Sequence, residues 1–347
     1  MLINAEPRHG NGTGAHKCCA SGGCFLDNRG ARWHGGRVLL SKLDKLRELL
    51  RSYGSCVVAY SGGVDSVFLA RVARDVLGDK SLAVIADTPS LPRRELQEAL
   101  DIASRFQIPV RVVRTAEFDN AEYVANPLNR CYFCKHELFT ELAPLARSEG
   151  FAVIAYGENA SDVGDFRPGA QAAAEFAVRA PLKEAGLTKQ VIREFSAHLG
   201  LPTADKPQMA CLSSRVPYGE VVTPEKLKMI EEAEYVLRDL GFHDVRVRHH
   251  ELSSKFNAQS SKSSDAGSPV ETSNLGSGTP SHLARIEVGP EEMAKFVLNG
   301  NSVLVAEALK KLGYAHVTLD LLGYRRGSGN EAIPLALRQS AEPKTKA

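Results

Sequence analysis

The segment from residue 56 to residue 77 constrains the fold of this chain more than any other. The apolar run at 56–60 predicts a buried strand, and the apolar spacing along 67–77 predicts a helix. Between them lies SGGVDS, residues 61–66, which lacks the Lys-Ser/Thr ending of a Walker loop. A glycine turn between strand and helix presents free N–H groups and the positive helix end to an anion. The segment therefore predicts a phosphate site, although an ordinary glycine turn has the same pattern.

Strand and helix patterns alternate along the rest of the first two thirds of the chain. Strands are predicted at 82–86, 108–113 and 151–156, and helices at 41–53, 92–106 and 131–148. This alternation is typical of an α/β fold with a doubly wound parallel sheet, where ligands bind at the carboxyl ends of strands. The SGGVDS loop, Asp87 and the turn at 157–159 all follow predicted strands, so we expect them to meet in one crevice.

The sequence also predicts a second, smaller α+β domain after residue 215. Thr223 and Pro224 are typical of a helix start, and strands are predicted at 245–249, 283–288 and 315–321. A Ser-rich stretch with few large apolar residues interrupts this domain. The predicted division is 1–37 for a disordered leader, 38–215 for the first domain, 216–330 for the second with a disordered insertion at 253–282, and 331–347 for a flexible tail.

Charge and composition exclude several classes of protein. The 347-residue chain has a formal net charge of +2, which argues against a nucleic-acid partner. No apolar run approaches the roughly 20 residues that span a bilayer, so we predict no membrane partner. The sequence shows no secretory signal, and its seven cysteines, an odd number, indicate reduced thiols. We therefore predict a cytoplasmic protein, with import into an organelle through the leader as the alternative.

Three cysteines lie in patterns that suit metal or sulfur chemistry. Cys131 and Cys134 form a C-x-x-C pair at a predicted helix start, where the helix dipole, Arg130 and Lys135 favour thiolates. Cys211 would complete a set of three if the fold brings it near the pair. Three thiolates suit a [4Fe–4S] cluster with one open iron, whereas structural zinc normally takes four protein ligands. A zinc site, a redox pair and three unrelated thiols are the alternatives.

Charged side chains near the predicted crevice suit a metal-bound nucleotide. Glu158 and Asp162 are carboxylates that could hold Mg²⁺ on phosphates, with helix capping as the alternative role of Asp162. Arg167 could pair bidentately with a phosphate or a carboxylate. Arg246 and Arg248 alternate along a predicted strand, which fits an anion clamp or a solvated strand face.

Taken in chain order, these motifs resemble those of one enzyme family. SGGVDS looks like the PP-loop of the ATP pyrophosphatase superfamily, whose members cleave ATP to AMP and pyrophosphate. It is followed by NPLNRCYFCK, GENASDVGDFRPG, APLKEAGLTKQVIRE, DKPQMACLSSRVPYGE, VRVRHH, LARIEV and VTLDLLGYRRGS. The set resembles the LarE family, ATP-dependent sulfurtransferases that make pyridinium-3,5-bisthiocarboxylic acid mononucleotide, the organic part of the nickel-pincer nucleotide cofactor. The resemblance covers about 38–330, apart from the Ser-rich insertion.

The resemblance implies a reaction and a set of site residues. A carboxylate of pyridinium-3,5-biscarboxylic acid mononucleotide attacks the α-phosphate of ATP, pyrophosphate leaves, and sulfur then replaces oxygen in the acyl-adenylate. The implied catalytic residues are Asp65 and Cys211, the latter matching the family's sulfur-site cysteine. ATP and Mg²⁺ would be bound by Ser61, Gly62, Gly63, Asp65, Ser66, Asp87, Gly157, Asn159 and Asp162, with Glu158 as a further Mg²⁺ ligand. The substrate would contact Arg167, Arg215, Arg246 and Arg248.

The family also offers two routes for the sulfur. Members with a single cysteine sacrifice its sulfur, whereas others use three cysteines to hold a [4Fe–4S] cluster that carries an added sulfide. Cys131 and Cys134, together with Cys211, make this chain similar to the cluster type. The implied partners are a small-molecule nucleotide substrate, sulfide or another sulfur donor, and further copies of the chain in a homo-oligomer.

Two other functions fit part of the pattern. The nearer is another PP-loop enzyme, either a tRNA thiolase or an amide-forming synthetase. The other, from a different class, is a non-catalytic protein that binds a nucleotide or a metal. Exchange of pyrophosphate into ATP with a pyridinium carboxylate would separate an adenylating enzyme from a binding protein.

Overall fold

Two separate sheets organise the part of the chain that the computed structural model describes, which is residues 25–26, 32–33, 37–162, 168–207, 210–252 and 281–325. Before the first sheet, Phe25–Leu26 (β1) pairs antiparallel with Arg32–Trp33 (β2). We predicted a leader without structure at 1–37, so this small ladder is a departure from that prediction. Its Phe, Leu and Trp residues favour strands, and the Asp-Asn-Arg-Gly sequence between them supplies turn residues. The other leader residues before 37 lie outside the described residues.

The first unit consists of a four-stranded sheet and the helices that flank it. In chain order its elements are α1 (Arg37–Tyr53), β3 (Cys56–Ala59), α2 (Val64–Leu77), β4 (Ser81–Asp87), α3 (Arg93–Arg105), β5 (Val110–Arg114), α4 (Ala121–Val124), α5 (Arg130–Ser148), β6 (Val153–Tyr156), α6 (Pro168–Glu175), α7 (Pro181–Glu184) and α8 (Lys189–His198). The predicted strands and the first four predicted helices are all present, with ends that differ by a few residues. The helices α4, α6, α7 and α8 were not predicted.

The strand order of this sheet is β5-β4-β3-β6, and every neighbouring pair is parallel. Ala59 at the end of β3 lies between Val84 of β4 and Tyr156 of β6. The chain moves from β3 to β4 on one side and later returns to the other side for β6. The direction of winding therefore reverses between β3 and β6, where ligands bind in open α/β sheets. The predicted α/β fold is confirmed.

Burial of α2 fixes the loop that precedes it. Eight of its residues are buried, among them Val67, Phe68 and Leu69, because the helix packs between the sheet and α1 and α8. The three apolar residues that begin β3 are also fully buried, as expected for a central parallel strand covered on both faces. The loop at 61–66 is thus held at both ends by the core.

The second unit is a small mixed sheet with helices. Its elements are α9 (Pro224–Asp239), β7 (Val245–Leu252), β8 (Ser281–Val288), α10 (Ala294–Val297), α11 (Asn301–Lys311) and β9 (Tyr314–Leu319). The order is β7-β8-β9, with β7 and β8 antiparallel and β8 and β9 parallel. The structure starts β8 two residues before the predicted strand, and the predicted insertion otherwise lies outside the described residues. No helix in the described ranges is long and apolar enough to cross a membrane.

Candidate functional site

The loop at 61–66 has the geometry of an anion cradle. The Ser61 amide donates to Ser66 Oγ at 3.1 Å, and Ser66 Oγ donates to the Gly63 carbonyl at 3.1 Å, so the loop is braced internally. Gly63 is the N-cap of α2 and supplies no side-chain cap. The residues of the first turn, Val64, Asp65 and Ser66, line the adjoining cavity. Amides at a helix start have no partner within the helix, so a phosphate in the cavity can accept from them.

Two glycines allow close contacts around this loop. A Cβ on Gly157, which follows β6, would lie 3.0 Å from the Ser66 amide nitrogen and 3.2 Å from Asp65. Gly62 has φ +71, and a Cβ there would lie 2.7 Å from Cβ of Ala99 in α3. The loop is thus packed between the end of β6 and the side of α3, and larger residues would displace it.

A cavity of about 420 Å³ opens at this edge of the sheet. This volume is in the range of small-molecule sites. The polar and charged residues that line it are Ser61, Asp65, Ser66, Glu95, Lys135, Glu158, Ser161, Asp162, Lys189, Lys206 and Cys211. The structure therefore brings the predicted phosphate loop, both predicted Mg²⁺ carboxylates and the predicted sulfur-site cysteine to one cavity.

The carboxylates of the cavity are held in place by neighbours. The Asn159 side chain donates to Asp65 at 3.4 Å, and its amide donates to Asp162 at 3.1 Å, so Asn159 positions both acids. Burial disfavours the charged form of Glu158, but hydrogen bonds from Tyr156 and Lys183 lower its pKa. Glu158 is therefore anionic at neutral pH, and Lys183 is its cation partner in the structure.

Asp87 and Asn159 do not line the cavity in the described part of the chain. Asp87 ends β4 as predicted, but its carboxylate forms an ion pair with Arg93 of α3. Asn159 is buried behind the loop and acts through the acids that it contacts. Arg167 lies outside the described residues.

Three lysines of the cavity were not predicted as site residues. Lys189 begins α8 and pairs with Asp65, and Lys206 bridges Glu95 at 2.6 Å and Glu98 at 2.8 Å. Lys135 lies 4.6 Å above the Tyr156 ring. Each lysine lies within a family-like motif, but only the tertiary fold turns these side chains toward the loop. Their charges suit the neutralisation of phosphates.

Buried contacts connect the two segments that carry the three thiols. Ser90, Tyr123 and Ser213 form a closed triangle of hydroxyl hydrogen bonds of 2.6, 2.9 and 2.8 Å. Arg130, next to Cys131, donates to the Ser213 carbonyl at 3.0 Å. The start of α5 and the segment after Cys211 are therefore fixed together.

The state of these thiols differs from the prediction that they would be thiolates. Burial raises the pKa of Cys134 well above its usual value, and Cys211 and Glu117 raise it further. Cys131 has an exposed side chain, but partial desolvation at the start of α5 and the neighbouring Cys211 still raise its pKa against the cations Arg130 and Lys135. Cys131 and Cys134 therefore favour the protonated form, and both lie within electrostatic reach of Cys211. Among the described residues, no group of three or more His, Cys, Asp or Glu side chains is arranged to hold a metal ion.

The predicted substrate arginines have buried protein partners. Arg215 is fully buried, pairs with Glu234 at 2.8 and 3.0 Å, and donates to the Cys211 carbonyl at 2.9 Å. Arg248 pairs with Glu287 at 2.9 Å and donates to the Ser214 carbonyl at 2.8 Å.

Arg246 of β7 is buried as well. It donates to the Val245 carbonyl at 2.6 Å and lies 4.7 Å from the Tyr324 ring. In the described part of the chain, neither it nor Arg215 or Arg248 lines the cavity. The geometry gives Arg215 a positioning role for Cys211, and β7 packs its arginines inward instead of presenting a solvated face.

Sequence comparisons identify relatives over most of the chain. Residues 40–127 match the family model described as NAD synthase. An uncharacterized protein of Synechocystis sp. is 40% identical over 296 residues, covering 85% of this chain and 99% of that protein. The pyridinium-3,5-bisthiocarboxylic acid mononucleotide synthase of Lactiplantibacillus plantarum is 29% identical over 300 residues, covering 86% of this chain and 97% of the synthase. With its PP-loop at the switch point of a parallel sheet, the chain belongs to the LarE family of ATP-utilising PP-loop enzymes.

Proposed function

We propose that the protein uses ATP to adenylate a carboxylate of pyridinium-3,5-biscarboxylic acid mononucleotide and then replaces oxygen by sulfur. The observation that carries this proposal is that Cys211 lines the same cavity as the PP-loop. A non-catalytic protein that only binds a nucleotide has no need of a thiol in the nucleotide cavity. The similarity to the Lactiplantibacillus synthase supports the choice of substrate.

The adenylation step uses the loop and the charged residues of the cavity. A substrate carboxylate oxygen attacks the α-phosphorus, the bond to the bridging oxygen breaks, and pyrophosphate leaves with the electron pair. The α2 N terminus and the cavity lysines stabilise the negative charge that develops on the phosphates. Asp65, Glu158 and Asp162 would hold Mg²⁺ on the same phosphates.

The ion pairs of the cavity indicate how its charges would be redistributed on nucleotide binding. Lys189 is paired with Asp65 and Lys206 with two glutamates. If Asp65 were a ligand of Mg²⁺, Lys189 would lose its carboxylate partner and could turn to a phosphate. The carboxylate partners therefore offset the desolvation of these lysines and keep them close to the phosphate loop.

The sulfur step takes place at Cys211. A sulfur nucleophile attacks the carbonyl carbon of the acyl-adenylate, and AMP leaves with the electron pair of the broken C–O bond. Arg215 holds the backbone of Cys211 by its carbonyl, so the thiol keeps a fixed position at the cavity wall. This geometry favours attack by sulfur over attack by water.

Cys131, Cys134 and Cys211 have the donor chemistry and number for a [4Fe–4S] cluster, and their side chains would have to come together to hold it. When bound, such a cluster supplies a sulfide at its open iron. Because the protonated forms of Cys131 and Cys134 are favoured, loading would release protons from these two thiols and would be favoured by rising pH. The alternative is that Cys211 donates its own sulfur once and becomes dehydroalanine.

One anaerobic reaction tests the proposal. The protein is incubated with ATP, sulfide and pyridinium-3,5-biscarboxylic acid mononucleotide. The masses of the products and of the intact protein are then measured by mass spectrometry. We expect AMP and a thiocarboxylate product, with Cys211→Ala inactive. If correctly folded wild-type protein formed no AMP in this reaction, the proposed function would be rejected.

The two sulfur routes give different outcomes in variants. With a cluster, Cys131→Ala and Cys134→Ala abolish repeated turnover, and iron is present in the wild type. With the sacrificial route both variants keep one turnover, and Cys211 loses one H₂S. Cys56→Ala is the matched control, because this buried thiol of β3 does not line the cavity.

A further inference from the structure

The N terminus of α3 has an unusual source of capping. Pro92 is its N-cap residue and provides no side-chain hydrogen bond. The amides of the first turn of a helix have no partner within the helix and need one from elsewhere. In α3 the partners of two of these amides come from the second unit.

The helix α9 supplies both partners. Glu231 accepts a hydrogen bond from the Arg93 amide, and the Tyr235 hydroxyl accepts one from the Arg94 amide at 2.9 Å. Tyr235 in turn donates to Glu231, one turn away on the same face of α9. The carboxylate also lies where the positive end of the α3 dipole favours negative charge. The two residues thus cap α3 as a unit.

A third contact of the same interface involves no α3 amide. Asp239, a further turn along α9, forms a bidentate pair with the Arg94 side chain at 2.5 and 2.9 Å. Both partners are more than half exposed, at 60% and 53% of the side-chain area. Such a pair contributes little to stability, so it serves as an internal control for the caps.

The capped helix forms one wall of the nucleotide cavity. Leu91, Pro92 and Glu95, at its first turn, line the cavity. Further along, Ala99 is the residue against which Gly62 of the PP-loop packs. The helix is therefore in contact with α9 at its start and with the PP-loop one to two turns later.

We propose that Glu231 and Tyr235 are positioning residues for the nucleotide site, through which the second unit sets the affinity of the cavity for ATP. Loss of either cap loosens the first turn of α3 and with it the cavity wall. By reciprocity, a nucleotide in the cavity stabilises the contact between α3 and α9. The inference rests on the proposed function only in taking Mg·ATP as the ligand.

Calorimetric titration with Mg·ATP tests the affinity. We expect Glu231→Ala and Tyr235→Phe to weaken binding about two- to fivefold, since the effect cannot exceed the contribution of a helix cap. Glu231→Gln keeps an acceptor oxygen and should restore most of the affinity. Asp239→Ala should bind as the wild type does. The inference would be overturned if all four variants bound Mg·ATP with wild-type affinity. It would also be overturned if Asp239→Ala lost as much affinity as Glu231→Ala.

Hydrogen exchange of the amides at 93–96 tests the cap itself. In the wild type, Mg·ATP should slow exchange there and in α9, and Glu231→Ala should speed exchange without ligand. Unchanged exchange in Glu231→Ala would overturn the inference whatever the affinity shows. If the wild type binds ATP and shows these effects but transfers no sulfur, the proposed function fails and the positioning role stands.

Discussion

Replacement of Gly157 by alanine should weaken ATP binding with a small loss of stability. The new Cβ would lie 3.0 Å from the Ser66 amide nitrogen and 3.2 Å from the Asp65 backbone carbon. Both are backbone atoms of the first turn of α2, so no flexible side chain can move aside. Because Gly157 does not have a positive φ, alanine itself meets no conformational penalty there.

The magnitude follows from two opposing effects. Overpacking of a closely packed site costs about 1–3 kcal/mol. Replacing glycine restricts the unfolded chain and returns about 0.4–1 kcal/mol. The net cost is then about 1–2 kcal/mol, and relief comes from a shift of the PP-loop. The unfolded chain takes no part in nucleotide binding, so only the overpacking of about 1–3 kcal/mol counts there. If binding requires the loop to return to its original position, affinity falls about five- to 150-fold.

Calorimetric titration with Mg·ATP and thermal melting would measure the two effects. The matched control is Gly289→Ala, whose Cβ would meet only the side chain of Glu291, which can turn aside. We expect the control to bind ATP as the wild type does. Wild-type affinity in Gly157→Ala would refute the view that this glycine sets the position of the phosphate loop.

Three further changes have defined outcomes. Lys206→Met removes the cavity cation that we propose for a phosphate contact, so the KM for ATP in pyrophosphate exchange should rise about tenfold or more, and an unchanged KM would contradict this role. Arg215→Met leaves the Glu234 carboxylate buried without its partner, so urea unfolding should show a loss of about 3–5 kcal/mol. Burial opposes ionisation of Glu292, but Lys295 and two backbone amides lower its pKa. The ionised group therefore stabilises the fold above its unfolded pKa of about 4.3. This stabilisation is lost as the pH falls through the lower pKa of the folded state. Melting between pH 7 and pH 3 should therefore show a shallower acid limb in Glu292→Gln, and parallel limbs would contradict this.

Local patterns were sufficient to predict the first sheet. The strand at 56–60 and the glycine loop after it are adjacent in sequence, so their chemistry and their geometry can be read together. The crevice could be predicted as well, because parallel strands place their carboxyl ends at one edge. These are properties of short segments and of the rules that connect them.

The surroundings of individual side chains could not be predicted in the same way. Arg246 and Arg248 alternate along β7, but alternation does not tell whether the polar face meets water or another element. Lys189 and Lys206 reach the cavity only because α8 and the segment before Cys211 fold back onto the PP-loop. The thiol pKa values were mispredicted at Cys134 because burial, which opposes the local cations, depends on the whole fold.

The ion pair between Arg215 and Glu234 lies across the boundary that the sequence suggests between the two domains. A recombinant chain cut after residue 215 would leave one buried charge in each fragment. Chimeras that exchange the second unit between relatives should therefore keep the segment at 210–215 with its own α9. We therefore expect the two units to be inherited together in evolution. The segment at Cys211 should tolerate exchange between relatives least.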